Sequence, residues 1–156
     1  MRTKSCCTQM QLEKVAEQYG TEMLRICWIY RENRQQAQTD VQQAMILLYQ
    51  STPKTYTCGR TEALQAAVKA CRQAPVQRKK ETAADLQSVP ADYRKLLCQF
   101  FQLGETDRCI LYLYCYLNCS IQEIAQIMNL PCFWVKACKK HGMKQLNRNK
   151  QRESVL

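Results

Sequence analysis

Apolar residues recur three and four positions apart along almost the whole chain, and little interrupts them. That spacing collects them on one face of an α-helix. Only 4 Gly and 4 Pro occur in 156 residues, and no period-two alternation is sustained, so strands are not expected. The chain reads as all-α. In the first helix Leu12, Val15, Ala16, Tyr19, Met23, Ile26, Cys27 and Tyr30 form one stripe, with Gly20 as its weak point. Polar residues from Arg31 to Gln36 mark a turn. A second helix from about Ala37 to Gln50 sets Val41, Ala44, Met45 and Leu48 on one face, and Ser51-Thr52-Pro53 stops it. A loop with Tyr56, Cys58 and Gly59 follows. A third helix starts near Thr61, presents Leu64, Ala67, Val68 and Cys71, and is limited by Pro75.

Residues 81–90 are polar, end on Pro90 and read as a linker. Beyond it a helix over Asp92–Leu103 is expected to end on Gly104 as its C-cap. Thr106 is expected to cap the next helix, whose inward face is Ile110, Leu113, Tyr114 and Leu117. After a turn at Leu117-Asn118-Cys119, Ser120 and Glu123 have capping-box spacing ahead of Ile121, Ile124, Ala125, Ile127 and Met128. Asn129-Leu130-Pro131-Cys132 makes a short turn, and Phe133–Leu146 is the last helix. The chain thus divides into two small helical domains, 8–80 and 91–150, with a tail at 151–156.

Charge narrows the partner. Lys and Arg number 23 against 13 Asp and Glu, a net +10, which favours a polyanion. The excess is concentrated after Arg72, in Arg78, Lys79 and Lys80, and again in Lys136, Lys139, Lys140, Lys144, Arg148, Lys150 and Arg152, a run with no acidic residue. A capped short helix, a tight turn and a longer basic helix, in that order, have the layout of a helix-turn-helix. Val135, Cys138 and Leu146 are expected to face the core with Leu130. Phe133, Trp134, Lys136, Ala137, Lys139, Lys140 and Lys144 then project outward, toward phosphates and base edges in the major groove. Arg60 and Lys69 are further backbone-holding candidates, and Tyr56 is a candidate for stacking on an unpaired base.

Other classes find little support. The longest apolar runs, such as Ile110–Tyr116, fall far short of the roughly 20 residues that span a bilayer, and Met1-Arg2-Thr3-Lys4 opens no apolar export segment. A cytoplasmic protein without membrane insertion is expected. The 11 Cys are then reduced thiols, mostly small hydrophobes on helix faces. Cys115-x3-Cys119 has no second close pair, so no metal site and no cofactor is expected. Cys58 and Cys132 are candidates for accessible, redox-sensitive thiols. His141, the one histidine, has no carboxylate near it in sequence to orient it, and no phosphate-cradling glycine loop occurs. No enzyme activity and no catalytic residue is expected.

The segment Thr106–Leu146 resembles region 4 of bacterial RNA polymerase sigma factors, above all the small extracytoplasmic-function group. Arg108, Ser120-Ile121-Gln122-Glu123-Ile124-Ala125, Val135-Lys136 and Leu146 carry the resemblance. It implies that this unit reads the promoter −35 element, with Arg108 and Ser120 added to the DNA-binding set. The first half is similar to region 2 of the same family: Asp40-Val41-Gln42-Gln43 matches its Asp-x-x-Gln signature. That likeness makes Asp40, Gln43 and Met45 the polymerase-facing residues. It also puts Val68, Arg72, Arg78, Lys79 and Lys80 on the −10 side. The implied partners are promoter DNA, core RNA polymerase through its β′ clamp and β flap, and an anti-sigma factor. The sequence departs from the family at three places. Leu64 and Cys71 stand where a Trp and an Asn are usual, and Phe133-Trp134 replaces the usual Gly-Thr before Val135-Lys136. Promoter melting is thereby left without its usual side chains. Two other readings remain open: a helix-turn-helix regulator acting without polymerase, and a sigma-like adaptor that does not read promoters.

Overall fold

The computed structural model describes residues 9–51, 58–74 and 89–154, with side chains described to Arg148. Tyr56, Arg78, Lys79, Lys80, nearly all of the 81–90 segment and the side chains of Lys150 and Arg152 lie outside the described residues.

Helix α1 spans Gln9–Arg31 without a break at Gly20. A mid-helix glycine costs about 1 kcal/mol. Met23, Ile26 and Cys27, buried in the following turns, contribute about 1.5–3 kcal/mol for each of the larger side chains, so burial wins. The apolar stripe is buried or half-buried as its spacing predicts, except Ala16, which is exposed, while Ile29 joins the core. Glu32 takes a left-handed conformation (φ 56°) and its N–H donates to the Trp28 carbonyl, closing the helix.

Helix α2, Arg34–Ser51, begins three residues earlier than its apolar pattern suggests. The reason is a cap: the Asn33 side-chain oxygen accepts the Gln36 N–H at 2.9 Å. Ala37, Asp40, Ala44 and Leu48 line its buried side. Helix α3 is Arg60–Gln73, and Leu64, Ala67, Val68 and Cys71 are buried as expected. These three helices pack on one another.

In the second half α4 spans Ala91–Phe101 and α5 spans Glu105–Leu111. Gly104 is not the left-handed C-cap expected of it; with φ −61° it is the N-cap of α5, and Thr106 lies inside the first turn rather than capping it. A π-helical turn, Tyr112–Tyr116, continues α5, with Leu117 N–H bonded to the Tyr112 carbonyl. This wider turn rotates the inward face. Leu113 and Leu117 stay buried, but Tyr114, expected inside, is 40% exposed.

Helix α6 is Ile121–Met128 and α7 is Cys132–Ser154. Helix α5 lies against α1 and α7, α3 against α6, and α6 against α7. Buried side chains from both halves form one continuous cluster, from Val15 through Ala67 and Ile110 to Val135. Among the described residues the fold is all helical, with no strand, and no helix is long and apolar enough to cross a membrane.

Candidate nucleic-acid interface

The approach to α7 is fixed by three local devices. Ser120 Oγ accepts the Glu123 N–H at 3.1 Å and Glu123 Oε2 accepts the Ser120 N–H at 3.4 Å, the reciprocal capping box read from the sequence. Asn129 ends α6 in a left-handed conformation (φ 51°), and Leu130 N–H reaches back to the Ala125 carbonyl. The Pro131 carbonyl then accepts the Trp134 and Val135 N–H groups and opens α7.

Buried Val135 and half-buried Leu130 and Cys138 seat α7 on the core, and Leu146 is half-buried further along. The sequence reading did not single out Gly142. It is buried, and a Cβ there would meet Leu111 Cδ1 at 2.9 Å, so glycine allows α5 and α7 to approach closely. His141 Nδ1 lies 2.8 Å from Asp107 Oδ2, a pair separated by 34 residues in the chain. The orienting carboxylate absent from the local sequence is therefore supplied across the α5–α7 seam. Burial, then the neighbouring Asp107 carboxylate, pushes the Cys138 thiol up from its ordinary value, the opposite of an activated nucleophile.

The outward side of α7 carries Phe133, Trp134, Lys136, Ala137, Lys140 and Lys144, all exposed, with Arg148 beyond them. Lys139, expected outside, is half-buried, its ammonium 4.1 Å from the centre of the Tyr114 ring. Lys136, Lys140, Lys144 and Arg148 border a shallow groove with Ile121 and Met143. Ser120, at the start of α6, is exposed on the same half of the molecule.

Three other expected contacts are placed elsewhere. Arg108, expected at the DNA surface, is 2% exposed. Its guanidinium donates to the carbonyls of Ile29, Tyr30, Phe101 and Leu103 and lies 3.7 Å from Glu32. It closes the ends of α1 and α4, whose last carbonyls lack helical partners. Asp40, expected to face polymerase, is fully buried; its carboxylate accepts from Arg31 and from Gln36, each at 3.1 Å. Arg31 also donates to the carbonyls of Cys71 and Ala74 at the end of α3. Arg72 is exposed but donates to the Met128 carbonyl at the end of α6. Val68, Leu64 and Cys71 are buried, so those three positions of α3 face the core.

Gln43 is exposed and Met45 half-buried, on the side of α2 that also exposes Ile46 and Tyr49. Arg60 is half-buried beside Glu123, at 3.8 Å, and Lys69 is exposed. Of the two thiols expected to be accessible, Cys132 is exposed and Cys58 buried. Among the described residues no three His, Cys, Asp or Glu side chains gather where they would hold a metal ion.

The fold and this face define an all-α protein that presents one basic, partly aromatic helix. No family model and no curated protein matches the chain.

Proposed function

We propose that this chain is a sigma-type transcription initiation factor acting in the cytoplasm. In this reading two helical units, 8–80 and 91–150, bind core RNA polymerase and bring it to promoter DNA. Helices α6 and α7 form a helix-turn-helix, and α7 enters the major groove of the −35 element. The observation that carries the reading is the capped α6, fixed turn and seated α7, whose outward side bears Lys136, Lys140, Lys144 and Arg148 and, among the described side chains, no acid. A helix of 23 residues is about 35 Å long, ample to cross a major groove about 12 Å wide. Its lysines neutralise phosphates and its first two turns reach base edges. Chemistry belongs to the polymerase; this chain supplies position.

On the polymerase side the accessible surface is Gln43 with Ile46 and Tyr49. The burial of Asp40 and of Val68 favours a second reading, in which α6 and α7 bind DNA as a regulator without core polymerase, or the chain serves as an adaptor for polymerase or an anti-sigma factor. Run-off transcription by core polymerase with the full chain, on a supercoiled promoter library, separates them. Transcripts that depend on the chain, with co-purification of polymerase, are the expected result. DNA binding without polymerase capture selects the regulator, and polymerase capture without transcripts selects the adaptor.

A further inference from the structure

Phe133 and Ala137 lie one helical turn apart at the start of α7, and both are exposed. They occupy the side of α7 opposite Val135 and Gly142, which face the core. Phe133 is 71% exposed, the most open large apolar side chain among the described residues. Nothing in the turn needs it: Asn129, Pro131 and Val135 set the geometry through backbone bonds and burial. A phenyl ring left in water is unfavourable for the free chain. Around this apolar strip stand Lys136, Lys140 and Lys144, all exposed, and no acidic residue occurs from Cys132 to Arg152.

An apolar centre inside a cationic rim fits a partner that offers apolar groups between rows of phosphates. In the major groove of duplex DNA the apolar group is the thymine 5-methyl, and the phosphates border the groove. We propose that Phe133 and Ala137 read thymine through its 5-methyl group, while Lys136, Lys140 and Lys144 hold the flanking phosphates. This rests on the DNA-binding reading of α7 and adds the identity of a base it selects. Trp134 falls off the strip, on the side of His141, and has no part in it.

The test uses the full chain and duplexes with a random core, enriched by binding and then remade with deoxyuridine in place of thymidine. Deoxyuridine pairs identically and lacks only the methyl. Enriched sites are expected to carry thymine at the same position in each. Its replacement by deoxyuridine weakens binding about fourfold for each methyl contacted, the worth of one buried carbon. Phe133→Ala is expected to narrow the difference between the thymidine and deoxyuridine forms, with an unchanged salt slope, because the ring touches no phosphate. Equal affinity of the unsubstituted chain for both forms overturns the thymine assignment and leaves the DNA reading standing. So does a thymine preference that is undiminished in Phe133→Ala. Failure to enrich any duplex overturns both.

Discussion

Arg108 sits where α1, α4 and α5 meet and donates to four backbone carbonyls, whereas Lys140 stands on the open side of α7 with its ammonium in water. Both count equally toward the net charge, and both were expected at the DNA, Lys140 from the helix pattern and Arg108 from the family resemblance. The difference follows from the head groups. A guanidinium offers five donors in one plane and is weakly hydrated, so it can serve several carbonyls inside a protein; an ammonium is a compact, strongly hydrated point charge. Arg31 and Arg72 behave like Arg108: each reaches carbonyls at the end of another helix, where partners are missing and the dipole is negative. These three arginines join helix ends, and Lys136, Lys140 and Lys144 of α7 are left for a partner.

The largest test of this division is Arg108→Ala. It removes the Arg108 guanidinium from beside the buried Glu32 carboxylate and its donors from the Ile29 and Leu103 carbonyls, at a cost of about 3–5 kcal/mol. Denaturant unfolding measures it. A loss under about 1 kcal/mol would place Arg108 with the surface cations after all.

Asp40→Ala sharpens the same contrast within one helix. Arg31 and Asp40 are 6% and 1% exposed, so removing the carboxylate is expected to cost about 3 kcal/mol. Gln43→Ala, one turn on and exposed, should stay within about 0.5 kcal/mol. Equal, small effects of both would return Asp40 to a surface role.

These two residues also mark how far sequence reading reaches. Helix faces were legible, because burial follows the period of 3.6: Ile26, Ala44, Leu64, Ile124 and Val135 are all inside. So was the Ser120–Glu123 cap, a local device written in four consecutive residues. What was not legible depends on residues far apart. The carbonyls that hold Arg108 belong to Ile29 and Tyr30, nearly eighty positions away, and no spacing rule announces them. The His141–Asp107 pair and the Gly142–Leu111 approach cross the α5–α7 seam in the same way. Tyr114 moved outward because the π-helical turn changed the local period. The outward face of α7 was legible because the period of a single helix sets it; Lys139, drawn onto the Tyr114 ring, is the departure.

Alkaline pH gives a smaller, graded test of the buried side. A Cys71 hydrogen bond and then burial push the Cys27 thiol above its ordinary 9.0, and burial does the same to Cys109. Above pH 9 the unfolded chain therefore loses protons that the folded chain keeps. Stability is fully present below that pH and falls as pH rises, by about 1.4 kcal/mol per unit for each thiol. Unfolding measured between pH 9 and 10 should show the decline, and Cys109→Ala should remove one share of the slope. Stability that is flat across this interval would contradict the burial of these thiols.

The smallest effect on stability belongs to the lysines, and it is also where the functional account is most exposed. Lys136→Ala, Lys140→Ala and Lys144→Ala should each leave unfolding within about 0.5 kcal/mol of the starting chain. The most direct measurement is the affinity of the full chain for duplex DNA as a function of salt, with and without all three substitutions together. If α7 is the DNA-facing helix, the logarithmic salt slope becomes shallower by about three, close to one for each phosphate no longer neutralised. An unchanged slope would take this helix out of the interface and contradict the account.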